Sequence, residues 1–241
     1  MWLALDTSGD TASVAVGVAG TSPRAEASLH GARRHAGALV PMIDKVLAEA
    51  KVGGVGELTG VLVTDGPGSF TGLRVAASVA KAVALTDALQ MRSAPSLLVL
   101  AAGALPRPAG PVLAVIDALR GELYAAVYEF TDGTVHTHLP PTVAAPEGVI
   151  ALAAPFAPKG VAGLAPEPVL VQLHQALGAA RLVPPAAGAP VLLALLAVGG
   201  ALGSVADIRR WEPQYGRPAE AQRKWEERHG RPLPPASGDG G

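Results

Sequence analysis

The sequence predicts an α/β protein of two lobes, and three observations carry that prediction. Apolar, strand-like runs alternate with segments of helical periodicity. Two of those runs end in an acid, and a proline-rich stretch, Pro106-Arg107-Pro108, separates them. With 241 residues, 49% of them apolar, the chain is long enough to bury a substantial core. Charged residues are only 16%, and Gly 29 with Pro 22 stays below a low-complexity composition, so an extended disordered chain is excluded. The formal net charge of -1 provides no global field to draw in nucleic acid or an anionic membrane. The lack of cysteine excludes disulfides, thiolate catalysis and cysteine-ligated metal centres.

The first half reads βββαβα. Trp2 to Leu5 runs apolar into Asp6, turns through Thr7-Ser8-Gly9-Asp10 and resumes at Ala12 to Val16, which is a β-hairpin with a polar tip. A third strand is expected near Ala25 to Leu29. From His35 to Ala50, Leu39, Ile43, Val46 and Leu47 recur at steps of three and four, an amphipathic helix in which Pro41 must sit in the first turns or cause a kink. A strand over Gly60 to Thr64 leads through Asp65-Gly66-Pro67-Gly68-Ser69-Phe70-Thr71-Gly72-Leu73-Arg74 into a second helix from about Gly72 to Ala88. The second half opens with the same device: Val112 to Ile116 ends at Asp117, and Leu123 to Phe130 returns as its partner strand. Helices are expected over Pro146 to Ala153 and Pro190 to Leu202. The Ala/Pro/Gly-rich segments between them carry little pattern, so this lobe reads as reduced. The expected division is a complete first lobe over 1–105, a reduced second lobe with a docking tail over 106–231, and a disordered tail over 232–241, where Pro232 to Gly241 has nothing to pack.

The glycine loop stands between a strand and a helix N-terminus, where free N–H groups and the helix dipole favour an anion. It is not a Walker A loop, because no Gly-Lys-Ser/Thr follows. The competing reading is a βα turn whose glycines supply positive φ and whose Ser69 or Thr71 caps the helix. The Asp6-Thr7-Ser8 turn offers a carboxylate, hydroxyls and backbone donors that can orient a metal ion or water, although an acid closing a strand is also a common Asx turn. Both features lie at strand C-termini, where α/β sheets bind ligands. Asp6, Thr7, Ser8, Gly66, Gly68 and Ser69 are therefore the candidate nucleotide-binding residues. Paired halves with an acid closing the first strand suggest the actin/Hsp70/sugar-kinase (ASKHA) architecture of two ribonuclease-H-like lobes.

No metal site and no catalytic residue is predicted. His30 and His35 are five apart and form no i, i+4 chelate; His136 and His138 share a strand face; His174 and His229 are isolated. Gly199-Gly200 follows an apolar helix and reads as its C-cap. The N-terminus has no basic region, and the apolar run Val191 to Val198 is too short to span a bilayer, so a cytoplasmic protein without membrane contact is expected.

Leu5-Asp6-Thr7-Ser8, His35 with Leu39-Val40-Pro41-Met42-Ile43, the loop Asp65 to Arg74, Asp117-Ala118-Leu119-Arg120-Gly121-Glu122-Leu123-Tyr124, and Pro213-Gln214-Tyr215-Gly216-Arg217 with Glu220 closely resemble, in this order and over essentially the whole chain, the bacterial TsaB (YeaZ) family. Members are accessory subunits of the machinery that makes threonylcarbamoyladenosine in tRNA. The resemblance implies a non-catalytic scaffold that binds and activates the catalytic paralogue TsaD, together with the ATPase TsaE. It implies tRNA contact through the complex, homodimerisation when alone, and no cofactor for this subunit, with ATP or ADP left to the complex. The catalytic relatives place a metal-binding His-x-x-x-His after the glycine-loop helix, whereas Ser93 to Gly103 here contains no histidine. An active ASKHA-type transferase is the alternative. A metalloprotease is the least favoured, for want of His-Glu-x-x-His.

The resemblance also places the partner interface on the first two helices. There Gly72, Ala76, Ala80 and Ala84 form a smooth stripe at steps of four, and Val75, Val79 and Val83 form an apolar ridge beside it; the alternative for these positions is packing against the protein's own sheet. Leu39, Met42, Ile43 and Val46 are their counterparts on the first helix. A second docking candidate is the C-terminal segment, where Trp211, Tyr215 and Trp225 alternate with arginines. Glu212, Glu220, Glu226 and Glu227 dilute its charge and weaken an RNA-binding reading.

Overall fold

The computed structural model describes residues 1–31, 35–104, 108–178, 181–183, 188–216 and 228–229. The first half contains β1 (Trp2–Asp6), β2 (Thr11–Gly17), β3 (Ala25–His30), α1 (His35–Glu49), β4 (Gly60–Thr64), α2 (Phe70–Thr86), β5 (Gln90–Ala94) and α3 (Ser96–Ala102). Next come β6 (Val112–Asp117), β7 (Leu123–Thr131), β8 (Thr134–Ala144), α4 (Pro146–Ala153), β9 (Gly160–Leu164), α5 (Glu167–Ala176) and β10 (Arg181–Val183), and the chain continues through α6 (Ala189–Ala194) to β11 (Gly203–Ser204).

Two sheets result, ordered β11-β5-β4-β1-β2-β3 and β10-β9-β6-β7-β8. Apart from β11 the orders are identical: each lobe's first strand is central, pairs antiparallel with its hairpin partner on one side and parallel with the next crossover strand on the other. Strand alternation then sends successive side chains to two opposite faces of each sheet. Leu3, Leu5, Val14, Val61 and Val63 lie in the core under α1 and α2, and Leu113, Val115 and Val127 lie in the core with residues of α4 and α5. The opposite faces carry Ala4, Ala15, Ala114, Ala126 and Ala162, and these small side chains make room for the apolar residues of α3 and α6 in a third core shared by both sheets. Each fully buried leucine there, such as Leu97 or Leu192, stabilises the lobe junction by about 2 kcal/mol.

The two outer helices of the first lobe end alike. Lys51 (φ 58) after α1 and Ala88 (φ 49) after α2 turn left-handed. This lets Val52 N–H donate to the Leu47 carbonyl and Leu89 N–H to the Ala84 carbonyl, each at 2.9 Å. Pro41 lies inside α1 on its exposed side. The reduction of the second lobe is seen in its helices: α4 has 8 residues against 15 in α1, and α5 has 10 against 17 in α2.

Several elements escaped the sequence reading. β5 and α3 follow α2, and α3 is buried along its whole length, so it has no polar face to create a helical period. β9, Gly-Val-Ala-Gly-Leu, is made largely of small residues, and the edge strand β8 is mostly exposed. β8 also carries Pro140-Pro141, which stand opposite Ala126 alone where the β7–β8 register shifts. The helix expected over 190–202 stops at Ala194 and continues as a 3-10 turn over Leu195–Ala197. Gly199-Gly200 does not act as a helix cap. Gly199 N–H donates to the Gly133 carbonyl at 2.8 Å and its carbonyl accepts from Val135 N–H at 3.0 Å, tying this segment to β8. Residues 188–204, grouped with the second half by the sequence reading, contribute α6 and β11 to the first sheet's lobe. The 105/106 division and residues 232–241 lie outside the described residues.

Candidate functional site

The site grows from the end of β1. Asp6 is buried, and one of its oxygens, Oδ1, accepts from Ser8 N–H at 2.9 Å, Ser8 Oγ at 2.7 Å and Thr64 Oγ1 at 2.9 Å. This is the Asx turn weighed from the sequence, with a cross-link to β4 added. Thr7 Oγ1 donates to the Gly72 carbonyl at 2.6 Å, and Ser69 N–H donates to the Ser8 carbonyl at 2.7 Å. Ser69 Oγ accepts from Gly72 N–H at 3.2 Å, which makes Ser69 the N-cap of α2. A Cβ on Gly68 would run into the Ser8 carbonyl, and one on Gly72 into the Thr7 carbonyl. The hairpin turn and the glycine loop are thus joined backbone to backbone, and the concave side of the loop is filled by the turn.

The outer side of the loop is also covered. Gly66, at φ 105, faces the Gln214 carbonyl, while Gln214 N–H donates to the Asp65 carbonyl at 2.6 Å. The Asp65 carboxylate accepts from Ser93 Oγ at 2.8 Å. Its burial pushes the acid above the ordinary carboxylate range, against the lowering effect of the Ser93 bond. Tyr128, on β7, is raised by its own burial and then by the Asp65 charge, and its buried hydroxyl has no hydrogen-bond partner among the described residues.

Between the lobes lies a cleft of about 260 Å³, lined on the first lobe by Asp6, Ser8, Asp10, Ser13 and His30, with Gly188 beside Ser13, and by Leu164 of the second lobe. His30 pairs with Asp10 at 3.0 Å and meets Thr11 Oγ1 at 3.2 Å. Of the six nucleotide candidates, Asp6 and Ser8 line this cleft; Thr7, Gly66, Gly68 and Ser69 do not. His30 and Ser13 were missed because only the β2–β3 register, Thr11 opposite His30 and Ser13 opposite Ser28, brings them to the cleft. The second lobe repeats the turn: Asp117 Oδ1 accepts from Leu119 N–H at 2.7 Å, and Leu119, Arg120 and Gly121 follow at φ 63, 59 and 77.

The helix residues assigned to a partner surface need correction. Leu39, Val46, Ala76 and Ala80 are 0% exposed, and Met42, Ile43 and Gly72 are buried as well. They form the core beneath α1 and α2, where the small-residue stripe lets α2 sit close to its own sheet. Val79 and Val83 remain half-buried beside Val75, and Val40 stands 52% exposed on α1. In the C-terminal segment, Trp211 packs against this same core and Tyr215 against Phe70. Trp225 and Arg217 lie outside the described residues. Among the described residues no group of three or more His, Asp and Glu is placed to hold a metal ion, and no helix is long and apolar enough to cross a membrane.

The family model of TsaD, tRNA N6-adenosine threonylcarbamoyltransferase, matches residues 25–177. The tRNA threonylcarbamoyladenosine biosynthesis protein TsaB of Escherichia coli K12 is 35% identical over 128 residues, 53% of this chain and 54% of that protein. The chain belongs to this family, on its TsaB (YeaZ) branch. The family member from Bacillus subtilis 168 is 28% identical over 138 residues, 57% of this chain and 59% of its own length. The chain thus spans about half the length of the curated TsaB relatives it matches. A crystal structure from Pseudomonas aeruginosa, described as an uncharacterized protein with similarity to peptidase YEAZ, superposes with TM-score 0.73 at 27% identity over 90% of this chain and 99% of that one. A YeaZ structure from the same organism gives 0.72 at 27% identity, covering 89% and 98%. The two-lobed α/β architecture is therefore that of the YeaZ structures.

Proposed function

We propose that this chain is a non-catalytic subunit that docks on the TsaD paralogue and activates threonylcarbamoyl transfer to tRNA adenosine, with TsaE in the same complex. The observation that carries the reading is α3. Where the resemblance to catalytic relatives calls for a histidine pair, the chain has Ser-Leu-Leu-Val-Leu-Ala-Ala, wholly buried in the core shared by the two sheets. A helix committed to that core presents no ligand to a cleft. Docking is assigned to the outer faces of α1 and α2, where Val40 and the Val75, Val79, Val83 ridge leave apolar surface uncovered. The same face serves a second copy of the chain when TsaD is absent, and tRNA is reached through the complex.

The test is a reconstitution with purified chain, TsaD, TsaE, tRNA and the threonylcarbamoyl donor, omitting one protein at a time. Transfer is expected to need both this chain and TsaD, with no turnover by this chain alone. Turnover by the isolated chain that Asp6→Ala abolishes would establish the active-transferase alternative instead.

A further inference from the structure

The motif Pro213-Gln214-Tyr215-Gly216 has a structural role that the docking reading does not use. After β11 the chain runs as a strap over Val205–Gly216. Val205 N–H donates to the Met91 carbonyl at 3.0 Å, and Val205, Ile208 and Trp211 pack on the core under α1 and α2. Lys81 of α2, its side chain only 18% exposed, reaches Glu212 at 2.7 Å and the Arg209 carbonyl at 3.4 Å. That hydrogen bond holds the Glu212 carboxyl below its ordinary range. Tyr215 places its ring 4.6 Å from that of Phe70, the first residue of α2, and donates its hydroxyl to Glu212 at 3.2 Å. Gln214 N–H holds the Asp65 carbonyl at the base of the glycine loop. One residue beyond Tyr215, the strap reaches the other lobe: Gly216, at φ 75, lies so close to the Tyr124 ring on β7 that a Cβ would stand 2.6 Å from it.

Within a few residues, then, one segment grips the side of α2, its first turn, the loop that feeds it, and a strand of the opposite sheet. We propose that this strap mechanically couples α2 to the second lobe, so that displacement of α2 is transmitted to the β6–β7 hairpin, and displacement of the hairpin to α2. Pro213 restricts the backbone ahead of the grip, and Gly216 supplies the left-handed conformation and the missing side chain that seat the strap on Tyr124. The coupling stands whether or not α2 is a docking helix.

Hydrogen–deuterium exchange on the full chain tests it from both ends. Gly216→Ala wedges a methyl group against Tyr124, at the second-lobe end of the strap. It is expected to raise exchange roughly threefold or more at residues 66–74 as well as at 118–124. Glu212→Gln, at a largely exposed side chain that leaves the fold intact, loosens the grip on Lys81 and is expected to raise exchange at 118–124. Effects confined to the mutated end in both variants, with the far segment unchanged, would overturn the coupling. Circular dichroism confirms that each variant is folded. If Gly216→Ala does not fold, the Glu212→Gln result at 118–124 decides alone.

Discussion

Gly68 has no room for a side chain, because the Ser8 carbonyl occupies the place of its Cβ. Gly68→Val must therefore separate the β1–β2 turn from the start of α2, and the expected cost is about 2 to 3 kcal/mol, read as a lowered melting temperature. Calorimetry is expected to detect no ATP binding in the parent protein. Micromolar binding, lost in Gly68→Val without a change in melting temperature, would instead make the loop a phosphate grip. Asp65 gives a second prediction, with a definite sign. Its folded-state carboxyl titrates above the ordinary 3.8, so the native state holds the proton more tightly than the unfolded chain does. The stability this contributes is complete below 3.8 and is lost as pH rises through the elevated native value. Asp65→Asn keeps an acceptor for Ser93 and removes the buried charge. It is expected to stabilise the protein at pH 7 by on the order of 1 kcal/mol and to give little or nothing at pH 3, measured by thermal unfolding at both.

At the scale of elements, α1 and α2 separate two kinds of apolar position that spacing alone merges. Ala80 is fully buried against the sheet, whereas Val40 on α1 is half exposed. Ala80→Arg is expected to unfold the protein or cost about 3 to 5 kcal/mol, because the guanidinium would be buried without a counter-charge. Val40→Glu should change stability by less than about 0.5 kcal/mol and yet weaken association with TsaD. Gel filtration of the mixture, with a melting curve for each variant, distinguishes these outcomes, and an intact complex with Val40→Glu would remove α1 from the interface. The periodicity of α1 and the polar turn after β1 were legible in the sequence because one side of each meets water. α3, with every residue from Ser96 to Ala102 buried, has no such contrast, and β9 offers only small residues. Asp6 and Ser8 could be read as a site from the turn, whereas His30 and Ser13 depend on strand register, which a single sequence does not encode locally.

For the molecule as a whole, the shared core decides how the lobes behave. Residues of α3 and α6 pack between alanine-lined faces of both sheets, and α6, which follows the second sheet in the chain, rests on β1, β2 and β4 of the first. Independent lobes would melt separately. Here a single calorimetric transition is expected, with equal calorimetric and van't Hoff enthalpies. A chain ending at Gly178 loses α6 and the strap and should fail to give a cooperative transition. Two resolved transitions in the intact protein would show the lobes to be energetically separate.

The proline pair in β8 bears on how the protein behaves in a crowded solution. β8 is one margin of the second sheet, and such a margin is a template on which another chain can lay its own strand. One end is closed by the Gly199 segment, which takes up Val135 N–H; further along, Pro140 and Pro141 have no N–H to offer and the β-bulge there interrupts the register. On this side the second sheet is therefore closed to strand addition, so a neighbouring chain in a crowded solution finds no template along β8.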